Sequence, residues 1–103
     1  NVAYLLDPEE GVWKLSPAFD LTFNHGMSNQ HTTSINGSGN PSFEDLKKVA
    51  KERNIKEWIE ILEQVQSAVN RWPEFAEKHG LTKSRVKELD LIFKSISNRC
   101  RPF

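Results

Sequence analysis

The chain has 103 residues, 14 Lys/Arg against 14 Asp/Glu, and a mean hydropathy of −0.60. That length supports one modest domain or sub-domain, and no apolar run approaches the ~20 residues a membrane-spanning helix needs. The single cysteine, Cys100, excludes an internal disulfide and suits a reducing compartment, the cytoplasm.

Val2–Leu6 is an apolar run, and Val12–Leu15 is another. Asp7-Pro8-Glu9-Glu10-Gly11 lies between them and carries Pro and Gly, so residues 2–6 and 12–16 read as the strands of a β-hairpin. Ser16-Pro17 follows, and the segment ends on Asp20 between Phe19 and Leu21. An acid just past a strand, at the mouth of a hairpin, is well placed to face a cleft. Composition alone favours the same acid capping a turn. The chain opens on Asn1, directly in a strand pattern and with no methionine, which leads us to expect a piece of a longer protein. Asn1 and Asp20 would then lie near each other at the open end of the hairpin.

Residues 22–41 are rich in turn formers. Thr32–Gly37 reads as a short strand entering a turn, and Asn36-Gly37 favours positive φ. His25 and His31 stand six positions apart with no cysteine nearby, a spacing that argues against zinc. Polar loop histidines making hydrogen bonds are the simpler reading.

From Ser42 the pattern turns helical. Ser42-Phe43-Glu44-Asp45 resembles a capping box with Asp in place of Glu or Gln. Phe43, Leu46, Val49 and Ala50 give one apolar face, through about Arg53. Asn54 is expected to cap a second helix, with Glu57 in the reciprocal position. Ile55, Trp58, Ile59, Leu62, Val65 and Val69 then recur at spacings of three and four, which predicts a buried core stripe. The hairpin is expected to pack on this helix at Trp58 and Leu62. Trp72-Pro73 breaks or restarts the helix. Phe75 and Ala76 are expected to face inward, Gly80 to end that helix, and Thr82 to cap the last one. That helix presents Val86, Leu89, Ile92, Phe93 and Ile96 and frays by Asn98-Arg99. The expected fold is mainly α with a small N-terminal β-hairpin, divided at 1–41 and 42–103, with three or four helices in the second part.

The residues around the hairpin carry a resemblance. Asn1-Val2-Ala3-Tyr4-Leu5-Leu6-Asp7, then Trp13-Lys14-Leu15-Ser16-Pro17-Ala18-Phe19-Asp20-Leu21-Thr22-Phe23, then Ser34-Ile35-Asn36-Gly37, resemble the C-terminal part of HipA-like serine/threonine kinases, the toxins of bacterial toxin–antitoxin pairs. The resemblance covers residues 1–40 and extends to the helical remainder in length and pattern. It implies the helical C-lobe of a protein-kinase-like fold. It also implies that Asn1 closes a catalytic loop and ligates Mg2+, and that Asp20 bridges Mg2+ to the phosphates of ATP. The catalytic-loop Asp, His and Lys would precede residue 1. No glycine-rich phosphate loop or strand lysine is recognisable, so the chain alone is expected to be inactive. The resemblance further implies a protein substrate and a DNA-binding antitoxin partner.

A second class of function comes from charge and from one motif. Residues 1–70 hold six Lys/Arg against ten Asp/Glu, and residues 71–103 hold eight against four, giving −4 and +4. Such asymmetry marks either a basic contact surface or ordinary solvated faces. Phe75–Val86 resembles a helix-turn-helix, in which Lys83, Ser84, Arg85 and Lys87 would meet DNA phosphates or base edges. Ordinary αα-hairpins share this pattern, and Glu88 and Asp90 weaken the surface for DNA. Residues 75–97 are thus the alternative, a DNA- or antitoxin-binding module.

Overall fold

The computed structural model describes residues 2–24 and 30–102. Two strands, β1 (Tyr4–Asp7) and β2 (Val12–Leu15), form an antiparallel hairpin, and four helices follow: α1 (Phe43–Glu52), α2 (Trp58–Asn70), α3 (Trp72–Lys78) and α4 (Lys83–Arg99). No helix among the described residues is long and apolar enough to cross a membrane.

The hairpin is held by its turn. Oδ1 of Asp7 accepts from the backbone N–H of Glu9 at 3.0 Å and of Glu10 at 3.2 Å, and the Gly11 N–H donates to the Asp7 carbonyl at 2.8 Å. These backbone donors, first Glu10 and then Glu9, hold the Asp7 carboxyl below its ordinary range, with help from Lys14. Register pairs Tyr4 with Leu15 and Leu6 with Trp13, so these four share one face. Leu5, Asp7, Val12 and Lys14 share the other. The expected packing on α2 is not found: every strand residue except half-buried Asp7 is exposed, with Trp13 at 65%.

The helices follow their caps. Ser42 accepts from the Asp45 N–H, and the Asp45 carboxylate accepts in return from the Ser42 N–H at 2.8 Å, so the capping box is present with Asp in the third position. Asn54 does not cap α2. Its φ of 53° is left-handed, and it ends α1: its own N–H reaches the Lys51 carbonyl while the Ile55 N–H reaches that of Ala50. This is a Schellman arrangement, in which Asn tolerates the conformation that Gly usually supplies. Gly80 does the same for α3 at φ 77°, with the Leu81 N–H on the Ala76 carbonyl. Pro73 sits in the first turn of α3, where no N–H is required, and Thr82 caps α4 by accepting from the Arg85 N–H.

The buried core is small. Ala50, Ala76, Val86 and Leu89 are its apolar members, and α2 contains no buried residue. The expected core stripe is therefore overturned: Ile55, Ile59, Val65 and Val69 are exposed, as is Phe75 on α3. Periodicity states which face seeks cover, but α3 and α4 cover only part of α2. Phe43 meets Trp58 at 5.3 Å between ring centroids, joining α1 to α2. Gln66 Nε2 donates to the carbonyls of Ser97 and Cys100, both at 3.3 Å, joining α2 to α4.

The capping box makes stability depend on pH. Backbone donation by Ser42, then the Asn36 amide, then the Ser42 hydroxyl, hold the Asp45 carboxyl below its ordinary range. A lowered folded-state value contributes stability that is full above the ordinary carboxylate range and is lost as pH falls through the folded value. Melting curves of the parent chain and Asp45→Asn should therefore differ at pH 7 and converge in acid, and Ser42→Ala should cost about 1 kcal/mol. A gap between parent and Asp45→Asn that persists unchanged at pH 2 would refute this account.

Candidate functional site

Asp20 lies five positions beyond β2, exposed, in a left-handed conformation with φ 51°. Its carbonyl accepts from the Thr22 N–H at 2.9 Å, a tight turn that redirects the chain. Asp is one of the few side chains that adopt this conformation at modest cost. Three residues on, Phe23 meets the ring of Phe93 edge-on, with centroids 5.2 Å apart and planes at 82°. Phe93 meets Trp72 the same way, at 5.3 Å and 88°. This run of three rings anchors the segment carrying Asp20 to α3 and α4. Each edge-to-face contact adds about 0.5–1.5 kcal/mol beyond the area buried. Asn1 and His25 lie outside the described residues.

The loop after Asp20 is tied down at its far end. Ile35 and Ser38 exchange backbone hydrogen bonds across Asn36-Gly37, whose φ values of 53° and 77° make a type I′ turn. The strand expected over Thr32–Gly37 is only this bridge. Asn36 Nδ2 donates to Asp45 at 2.8 Å, linking the turn to the α1 cap. Arg99 Nε donates to the Pro41 carbonyl at 3.1 Å, and the Cys100 thiol does so at 3.6 Å. Burial pushes the Cys100 thiol up, so it is not a ready nucleophile.

An exposed carboxylate such as Asp20 is a fit donor for a hard cation, which takes one or two carboxylates and completes its shell with phosphate and water. Among the described residues, no three His, Cys, Asp or Glu side chains converge as metal ligands.

The alternative site is at the start of α4. Lys83, Ser84, Arg85 and Lys87 are all exposed there, and the first turn of α4 contains no acid. Arg85 is engaged by Glu88 at 2.9 Å, and the Ser84 hydroxyl lies 3.3 Å from that of Thr82.

Sequence reading missed an apolar groove among the described residues. Parts of α1, α2, α3 and α4 enclose an open apolar groove of about 980 Å3, lined among others by Leu46, Trp58, Leu62, Val65, Phe93 and Cys100. The same residues give the helical periodicities; an uncovered stripe and a buried one have the same pattern in sequence. Trp72 and Ser97 also line it, and among the described residues their Nε1 and Oγ atoms are buried without a hydrogen-bond partner.

No protein family, curated protein or solved structure matches the chain.

An unpartnered buried hydroxyl costs desolvation that no bond returns. Ser97→Ala should therefore raise the stability of the chain by about 1 kcal/mol, read from the urea midpoint at unchanged slope. A loss of stability of similar size would mean that the hydroxyl has a bonding role.

Proposed function

We propose that this chain is the C-terminal part of a HipA-like, ATP- and Mg2+-dependent serine/threonine kinase, the cytoplasmic toxin of a toxin–antitoxin pair. The observation that supports it best is the hairpin of β1 and β2 lying between Asn1 and Asp20, with the Asp20 segment anchored by Phe23 to the helices. In this reading Asp20 supplies the anionic oxygen that orients ATP phosphates through Mg2+, and Asn1 supplies a neutral one. Mg2+ would neutralise charge developing on the transferred phosphoryl group. The backbone turn to Thr22 at Asp20 is compatible with that role. A protein hydroxyl is the acceptor, and the antitoxin is the regulatory partner.

Phosphoryl transfer depends almost wholly on positioning and electrostatics. The isolated chain should accordingly phosphorylate nothing. In the full-length parent, Asp20→Asn should lower ATP turnover by at least about 10²-fold, leaving antitoxin binding intact. Asn1→Ala should do less damage, and Glu9→Gln, in the hairpin turn, should match the parent. Near-parental turnover of Asp20→Asn at ordinary Mg2+ would reduce Asp20 to a turn residue and end the metal assignment.

One observation favours the second reading, a DNA- or antitoxin-binding face over residues 75–97. Basic side chains in the first turn of α4 oppose the helix dipole, an arrangement that an anionic partner would relieve. If DNA is that partner, Lys83→Ala with Lys87→Ala should weaken binding to any duplex and flatten its salt dependence by about two units of slope. Retention of the full slope would exclude this face.

A further inference from the structure

The accessible surface of the chain is 8473 Å2, whereas a compact monomer of 11.9 kDa exposes about 5,900 Å2. Its radius of gyration is 16.4 Å, against about 13 Å for a compact domain of this length. The excess of about 2,500 Å2 is similar in size to the area that one partner contributes to an obligate interface at the top of the usual range. It includes two apolar features of opposite shape. One is a ridge, the hairpin face of Tyr4, Leu6, Trp13 and Leu15, all exposed. The other is the groove, whose lining contains no charged side chain.

We propose that a second copy of this chain covers both, the hairpin ridge of each copy seating in the groove of the other. Three observations favour a second copy. Ridge and groove are on the same chain, so one two-fold operation can satisfy both. The net charge is zero, so copies do not repel one another at long range. Local charge also matches: Asp7, Glu9 and Glu10 outnumber Lys14 at the hairpin turn, and Arg99 and Arg101 flank Cys100 at one end of the groove. Burial of the ridge would also supply what a two-stranded hairpin lacks, since such hairpins are marginal in water on their own. The inference does not rest on the kinase reading.

The test is sedimentation equilibrium of the purified chain, with three variants at exposed positions: Trp13→Glu on the ridge, Val65→Glu in the groove and Leu91→Glu on α4 outside the groove. Circular dichroism checks that each stays helical. The parent chain and Leu91→Glu should be dimers at about 50 μM, and Trp13→Glu and Val65→Glu should dimerise at least about tenfold more weakly, as expected for a charge placed in an interface core. Mixing the two weakened variants should give a heterodimer of intermediate affinity, because the intact hairpin of one meets the intact groove of the other. A parent chain that is monomeric at 100 μM would overturn the proposal. So would a dimer that only one of the two variants weakens, or one that Leu91→Glu weakens equally.

Discussion

The edge-to-face run from Phe23 through Phe93 to Trp72 is the contact on which the arrangement depends. It is where the irregular segment after the hairpin meets the helices. Phe23 on Phe93 ties the segment that carries Asp20 to α4, and Phe93 on Trp72 continues that tie to α3. A ring edge on a ring face is directional as well as apolar, so it sets an orientation where a purely aliphatic contact would only set proximity. Further along, polar ties join this region to the helices: Asn36 to Asp45, and Arg99 with Cys100 to Pro41.

A small core accompanies that dependence. The apolar buried residues are two alanines, a valine and a leucine, and no large side chain is fully buried. Most of the chain's Trp, Phe, Ile and Leu side chains instead lie at the surface of the hairpin or line the groove. The paired-copy inference starts from this imbalance between apolar supply and enclosed volume. The surface ion pairs, such as Arg85 with Glu88 and Lys47 with Glu44, contribute little to stability at their exposures.

Local rules were legible wherever one short motif fixes one backbone geometry. Ser42 with Asp45, Pro73, Gly80 and Thr82 mark helix ends because each either satisfies an orphan backbone group or removes the need for one. Asn36-Gly37 marks a turn because both residues accept positive φ. Asn54 shows the limit of such rules. Asn caps a helix start through its side chain and ends a helix through its left-handed backbone, and the neighbouring residues do not choose between the two. The choice fell to the backbone bond of Ile55 with Ala50, which closes α1 before Glu57 can engage.

The sequence by itself determined the order of elements, a hairpin with strands near residues 2–6 and 12–16, and the apolar stripe of α2. These follow from periods of two and of 3.6, which are properties of the local backbone. Only the tertiary structure decided which of those faces is covered. Burial requires a partner at a distance, and the pattern of one element carries no information about how many partners the others can supply. The same reason hid the site. Phe23, Trp72 and Phe93 are far apart in sequence and share no motif, so their contact, and with it the position of Asp20, emerged only when the chain was folded.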